Sequence, residues 1–236
     1  AMNYIGIAPV PISGDLSKTF YISRGFNAWK IVMLCSFVYL MEGDTQFADR
    51  AYAEAEYFAD MPTWGTYQSL DNNQAAFTVA LCYDWLYNYL NADQRTKLKS
   101  ALKTKHLDIV LGAFRTPDAP QYNSSFYRFY FSNNNHAVLD NTSVFVEALA
   151  IADTADDFSY CAELMSDTLL HLEPCFDNLY PDSAWYEGVG YWSFVGPFIG
   201  RMLSSMESAF GKWYGYENIP SIVNCSDFPV YAQSSI

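Results

Sequence analysis

Apolar residues recur at helical spacing in one run after another along this chain of 236 residues. Strand-like alternation of apolar and polar residues is nearly absent, so the sequence predicts an all-α fold. Gly43 is placed to end the first helix, Asp44 to cap the second, and Asn91 with Gln94 to form a capping box before the fourth. The predicted helices cover about residues 20–40, 44–61, 70–90, 91–112, 136–152, 157–172 and 191–210.

Two connections, residues 113–135 and 173–190, are longer than the turns between the other predicted helices. Structureless connections longer than about 12 to 15 residues are uncommon in compact domains and are often functional. Helical hairpins that repeat around a ring place alternate loops at the same end, so these two would face one another across a cleft. That geometry is an incomplete α/α toroid. We find no linker, and therefore expect residues 1–236 to form a single domain.

The composition of the chain indicates which classes of partner such a fold could bind. The formal net charge of −13 at pH 7 argues against nucleic acid, because phosphate binding needs a clustered positive field. The longest apolar run, residues 31–41, is interrupted by Ser36 and followed by Glu42, so no membrane span is predicted. Aromatic residues reach 18%, and their flat faces can hold sugars, although most should fill the core. The five scattered cysteines are expected to be buried free thiols.

Both long connections lead into a helix through a polar and aromatic segment. The first segment reads Phe-Ser-Asn-Asn-Asn-His-Ala-Val over residues 131–138. The second reads Tyr-Pro-Asp-Ser-Ala-Trp-Tyr-Glu-Gly-Val-Gly-Tyr-Trp over residues 180–192. A buried Asn or His needs a partner for each polar atom, so such clusters are hard to justify as core. They predict the wall of a site.

Together the segments resemble the heparinase II/III-like polysaccharide lyases, of the alginate and heparin lyase type. The toroid domain of that family carries an Asn-Asn-His type motif and a later Glu-Gly-x-x-Tyr-Trp motif, which match residues 134–136 and 187–192 here. The Asp-Gly that commonly precedes the second motif is Asp182-Ser183 in this chain, so the turn chemistry is altered. Further matching stretches follow the family order over about residues 20–215, at 43–51, 81–87, 91–95 and 147–153.

The resemblance implies β-elimination on a uronic-acid polysaccharide or oligosaccharide, with no cofactor. In that reaction the C5 proton is removed, the oxygen on C4 leaves, and a C4=C5 double bond forms. Asn135 and His136 would neutralise the uronate carboxylate, because the weakly acidic C5 proton requires donors that stabilise the developing charge. Tyr191 would protonate the leaving oxygen, and one tyrosine can in turn also remove the C5 proton. Glu187 would orient His136, bind a sugar hydroxyl or cap a helix.

Other residues near the motifs are predicted to bind substrate. Cationic side chains would pair with substrate carboxylates, and aromatic faces would stack on sugar rings. The predicted contacts are Arg128 and Arg24 for the carboxylates, Tyr127 and Trp192 for the rings, and Asn134 within the run of asparagines.

Members of this family usually continue into a C-terminal β-sandwich domain, which closes the cleft and adds a catalytic His or Tyr. Nothing after Gly211 shows strand alternation. The resemblance therefore implies that the β domain is missing from these 236 residues and that they are inactive or weakly active alone. It also suggests an extracellular or periplasmic location.

Two other functions stay open at the level of sequence. An α/α-barrel glycoside hydrolase would need a carboxylate pair, drawn from Asp182, Glu187 and Asp140. A non-catalytic carbohydrate-binding toroid would need none. His106 and His171 are expected to serve structure, and no His, Cys and carboxylate cluster has the spacing of a metal site.

Overall fold

The computed structural model describes residues 1–15, 21–65, 68–177, 179, 183–225 and 227–232, with the backbone alone for Ile22 and Tyr231. A π-helical segment, Lys103–Leu107, joins two α-helices, Ala92–Leu102 and Asp108–Arg115, into one continuous helix. Short 3-10 turns lie at Met2–Tyr4, Pro120–Tyr122, Phe129–Phe131 and Tyr216–Asn218. The α-helices are α1 (Ile22–Glu42), α2 (Thr45–Asp60), α3 (Ser69–Trp85), α4 (Ala92–Leu102), α5 (Asp108–Arg115), α6 (Ser125–Arg128), α7 (Asn135–Ala150), α8 (Ala155–Asp177), α9 (Val189–Phe210), α10 (Pro220–Val223) and α11 (Asp227–Ala232).

The described residues contain helices and no strands, which confirms the all-α prediction. The predicted helix ends at α1, α2 and α4 are also confirmed. Gly43 adopts a left-handed φ of 75° and closes α1, and the Asp44 side chain accepts from the Gln46 amide. Asn91 and Gln94 form both hydrogen bonds of the capping box, each 2.9 Å long. No described helix combines the length and apolar character that a membrane crossing requires.

The two long connections are more ordered than predicted. α8 does not stop near Leu172 but continues to Asp177, in spite of Pro174 within it. Cys175 and Phe176 are buried on this last turn, and their burial offsets the backbone hydrogen bond that proline removes. The earlier connection is not structureless either, because it contains α6 and two 3-10 turns.

Helices α1, α3, α7 and α9 form one layer, the first layer, in which the helices run parallel. In each helix pair the contacting residue numbers increase together, which is the mark of parallel packing. Between α1 and α3 the pairs are Gly25 with Gln74 and Trp29 with Phe77. Between α1 and α9 they are Phe26 with Phe194 and Trp29 with Arg201. Along α3 and α7 they are Asn73 with Asp140, and Tyr83 with Asp153 just beyond the end of α7. The N-terminal ends of these helices therefore lie at one end of the molecule.

Helices α2, α4 with α5, and α8 form a second layer behind the first. Glu56 of α2 pairs with Lys97 of α4 at 2.8 Å, and Lys99 of α4 pairs with Asp157 of α8 at 2.6 Å. The Glu56 and Lys97 pair is partly exposed and contributes little stability, whereas the Lys99 and Asp157 side chains are only 18% and 11% exposed. The short turn at Gly43 makes the two layers antiparallel.

Most of the described aromatic side chains lie in the core or pack against it. Trp64, Trp185, Tyr83, Tyr130 and Phe58 are among the largest fully buried side chains. The predicted thiols are free in the described residues, with four of them buried and Cys225 half-buried.

Asp71, at the start of α3, is a buried carboxyl group with one hydrogen-bond partner among the described residues. It is 2% exposed, and its Oδ2 accepts from the Tyr21 amide at 3.2 Å. Burial raises the pKa of Asp71 from 3.8 to about 7, which the hydrogen bond from Tyr21 only partly opposes. Its folded pKa is therefore above its unfolded pKa, so its contribution to stability is greatest below about pH 4 and is lost as pH rises through 7.

We expect Asp71→Asn to remove this pH dependence. The amide keeps the acceptor for Tyr21 and never ionises, so the variant should gain stability relative to the parent as pH rises from 4 to 7. The gain should reach at most about 1.4 kcal/mol per pH unit. Urea unfolding at several pH values measures it, with Asp118→Asn, an exposed loop change, as the control. Parallel pH curves for the parent and Asp71→Asn would contradict the assignment.

Candidate active site

A single carboxylate joins the two polar segments. Glu187 Oε2 accepts from the backbone amide of Asn135 at 2.7 Å, and Glu187 Oε1 accepts from Asn135 Nδ2 at 2.9 Å. The indole of Trp185 donates to Glu187 Oε2 at 3.0 Å. Asn135 is the first residue of α7, and Glu187 lies in the turn that precedes α9. Residues that are 52 positions apart in the chain thus form one polar cluster.

Local structure fixes each side of this bridge. Asn134 is the N-cap of α7, and its Oδ1 accepts from the Ala137 amide at 3.4 Å and from Ser132 Oγ at 2.9 Å. On the other side, Trp185 is 2% exposed and anchors the turn in the core. Gly188 has a φ of 93°, a left-handed conformation that a side chain would strain. The chain can therefore turn directly from Glu187 into α9.

Ser183 occupies the position where the resemblance to the heparinase II/III-like lyases leads us to expect glycine. Its φ is 65°, so the backbone keeps a left-handed conformation in spite of the side chain. The hydroxyl donates to the Ser221 carbonyl at 2.9 Å and is fully buried. This bond offsets part of the strain. Asp182, the residue before it, lies outside the described residues.

His136 is held in place by an aromatic neighbour. Its ring stacks on Phe129, with centroids 4.0 Å apart and an interplanar angle of 15°. Burial lowers the pKa of His136, and the nearby carboxylate of Glu187 opposes that shift in part. The imidazole is therefore neutral near pH 7. Among the described residues, no hydrogen-bond partner reaches its Nδ1 atom.

Tyr191 lies in the first turn of α9 and is 50% exposed. It follows Glu187 by so few residues that their Cα atoms lie within about 14 Å even for extended chain. The half-exposed side chain is open to solvent, so a ligand at this end of α9 can reach it.

The structure gives the predicted substrate-binding residues different surroundings. Arg128 is exposed, and its guanidinium donates to Asn123 Oδ1. Tyr127 is half-buried and packs edge-on against Tyr122, with ring centroids 4.9 Å apart. Trp192 packs over Gly196 and faces a small apolar cavity, so its ring serves helix packing.

Arg24 does not suit the predicted substrate contact. Its guanidinium forms an ion pair with the fully buried carboxylate of Glu54, and its Nε donates to the Val10 carbonyl at 2.6 Å. The side chain also covers the rings of Tyr57 and Phe58, each at 5.3 Å. These contacts occupy the guanidinium inside the protein, which argues against Arg24 as a substrate contact.

A second polar cluster lies in the core. Asn73 Nδ2 donates to Asp140 at 2.7 Å and to Tyr130 Oη at 3.2 Å. Tyr130 Oη in turn lies 3.0 Å from His106 Nε2. On its other side, His106 Nδ1 lies 2.7 Å from Glu147. All these residues are fully buried. Burial raises the pKa of both Asp140 and Glu147. His106 therefore serves structure, as predicted, and Asp140 cannot reach a substrate as one of a hydrolase pair.

The layer arrangement adds a local electrostatic field. The N-terminal ends of α1, α3, α7 and α9 lie at the end of the molecule that holds Asn135 and His136. Each helix N-terminus carries a partial positive charge, roughly half an elementary charge, and unpaired backbone amides. The starts of α1, α3 and α9 therefore favour an anion although the chain is acidic overall, whereas the carboxylate of Glu187 already binds the Asn135 amide at the start of α7.

Two contributors to the site were missed at the sequence level. Phe129 provides the stacking face for His136, and nothing in the sequence distinguishes it from its aromatic neighbours. Trp185 donates to Glu187, and its place two residues before Glu187 in a segment of unusual composition was the available signal.

No protein-family model matches this chain, and a search of curated proteins finds no significant match to it.

We expect Glu187→Gln to disturb the site through Asn135 and His136. Glutamine offers one acceptor oxygen where three donors now converge, so at least one buried donor loses its partner, at a cost of about 1–3 kcal/mol. The raising effect of Glu187 on the pKa of His136 is also lost. The NMR titration of His136 should therefore move to lower pH, which a merely structural role of Glu187 would not produce. An unchanged titration would contradict the bridge.

Proposed function

We propose that this chain is the helical toroid portion of a polysaccharide lyase that cleaves a uronate-containing glycan by β-elimination. The observation that carries the proposal is the Glu187 bridge to Asn135. It brings both motif segments to one end of the molecule, where His136 is a neutral imidazole and Tyr191 is half exposed in the same segment as Glu187. The two antiparallel layers, each of parallel helices, support an incomplete α/α toroid.

In the proposed reaction the cluster first neutralises the substrate carboxylate. Glu187 holds the Asn135 amide through one N–H, and the second N–H of that amide donates to the uronate. The neutral imidazole of His136 donates a further hydrogen bond. As C5 loses its proton, negative charge grows on the carboxylate, so fixed donors stabilise the transition state more than the ground state.

Tyr191 then performs the proton transfers. Its phenolate accepts the C5 proton, the C5 electron pair forms the C4=C5 double bond, and the bond between C4 and the glycosidic oxygen breaks. The phenol returns the proton to the departing oxygen. No water is consumed, and the tyrosine ends in the state in which it began. Arg128, which is exposed and lies eight residues before His136, contributes a further contact to a substrate carboxylate.

The carboxylate requirement can be tested by binding alone. Saturated trisaccharides of alginate, heparan, chondroitin and hyaluronan should shift the NMR signals of the His136 ring and the Asn135 side-chain amide. The carboxyl-reduced form of each ligand should bind much more weakly, because the anion is what the helix N-termini and donors recognise. Equal binding of the charged and reduced forms would contradict a uronate site.

A further inference from the structure

A second cavity lies along the first layer, away from the motif end. It has a volume of about 800 Å³ and is walled by the C-terminal halves of α3 and α7 together with α1 and α9. Tyr191 and Arg201 are ten residues apart on α9, which places the cavity roughly 15 Å from the motif end along the helix axis. Most of its walls are apolar or aromatic, including Trp29, Phe77, Trp85, Val146 and Leu149.

Arg201 is the unusual member of this cavity. Its guanidinium lies over Trp29 at 4.2 Å, Phe198 at 4.5 Å and Phe77 at 5.1 Å. Burial lowers the pKa of Arg201 to about 10, which leaves it charged at neutral pH. No described carboxylate forms an ion pair with it, and its buried Nη1 has no hydrogen-bond partner in the described residues. Arg201 is half-buried, and an unpaired charge in such a place destabilises the fold, although the aromatic faces offset part of that cost.

The rest of the polar lining has a directional arrangement. Ser204, Ser205 and Ser208 follow Arg201 at helical spacing and also line the cavity, so α9 presents one polar stripe to it. Asp84 faces the same cavity from α3, and desolvation raises its pKa. Among the described lining residues, Arg201 is therefore the one cation, Asp84 is the one carboxyl group, and aromatic rings and serine hydroxyl groups surround them.

We propose that this cavity binds a small organic acid, with one carboxylate on a planar apolar body. The carboxylate pairs with Arg201 and the serine hydroxyls, and the body lies between the rings of Trp29, Trp85 and Phe77. A cavity of this size and apolar character suits a small molecule, because ligand pockets typically measure about 300–1,000 Å³. Asp84 disfavours a second negative charge on the ligand. This proposal is independent of the lyase proposal.

Titration calorimetry with phenylacetate and indole-3-acetate tests it. Both acids should bind saturably, and phenylacetamide and indole-3-acetamide should bind at least about tenfold more weakly, because a buried charge then lacks its partner. Arg201→Met keeps the apolar stem and removes the charge, so it should weaken binding of the acids by a similar factor. The matched control, Arg115→Met, removes an exposed arginine that pairs with Glu163 on the surface and should bind like the parent.

Thermal unfolding separates a binding role of Arg201 from a structural one. If Arg201 serves to bind a ligand and not to stabilise the fold, Arg201→Met should be as stable as the parent or more stable, because the substitution removes an unpaired charge. Tyr191→Phe should leave binding of the acids unchanged, which keeps the two sites distinguishable. Equal affinity for acids and amides, equal competition by inorganic phosphate, full binding by Arg201→Met or no saturable binding of either acid would each overturn the proposal.

Discussion

Replacing Tyr191 by phenylalanine is expected to lower turnover of a uronate polymer at least about a hundredfold, the lower range for loss of a general acid and base. The change removes one hydroxyl group and keeps the ring. Tyr191 is half exposed in the first turn of α9, so the free energy of unfolding should change little. The measurement is the rate of unsaturated product formation by the protein as its native gene encodes it, together with urea unfolding of the same variant.

Tyr186→Phe is the matched control for this experiment. Tyr186 lies in the same segment, one residue before Glu187, and is 59% exposed. Its hydroxyl has no part in the proposed reaction, so this variant should keep the parent rate. Near-normal turnover by Tyr191→Phe would remove Tyr191 from the mechanism. An equal loss in both variants would show that the segment is sensitive to any change.

The largest effect on stability is expected for Glu54→Gln. Glu54 is fully buried in α2 and forms ion pairs with Arg24 and, at 2.7 Å, with Arg50. Both guanidinium groups are themselves largely buried, with exposed side-chain fractions of 13% and 6%. Glutamine leaves them without a counter-charge, and breaking a buried ion pair from one side costs about 3–5 kcal/mol. Urea unfolding at neutral pH measures the loss.

Glu56→Gln provides the comparison on the same helix. Glu56 pairs with Lys97 at 2.8 Å, but its side chain is 38% exposed. Solvent screens this pair, so its loss should cost no more than about 1 kcal/mol. If the two variants lose similar stability, the cluster around Glu54 does not behave as a buried ion network.

The local features of this fold could be predicted from the sequence. The Asn91 and Gln94 capping box and the Gly43 stop depend on residues within one helical turn, so pattern and propensity suffice for them. The predicted end of α8 near Leu172 was wrong, because the actual end depends on burial of Cys175 and Phe176 against other helices. Helical spacing cannot show that burial.

The candidate site was predictable as a set of residues but not as a geometry. The unusual composition of the two segments singled out Asn135 and Glu187, whereas their hydrogen bonds join positions 52 residues apart. Glu187 had three possible roles in the sequence, and the structure shows it as the acceptor that holds Asn135. The ion pair of Arg24 could not be predicted, because its partner, Glu54, lies in the next helix and no local pattern connects the two.

Product analysis tests the central claim most directly. The native gene product is incubated with alginate, heparan, chondroitin and hyaluronan, and new reducing ends and ultraviolet-absorbing C4=C5 double bonds are counted in the same sample. We predict that one of these polymers yields one double bond for each new reducing end, and that Tyr191→Phe yields almost none. New reducing ends without double bonds would show hydrolysis, and binding without either product would show a non-catalytic toroid; each result would contradict the proposed β-elimination.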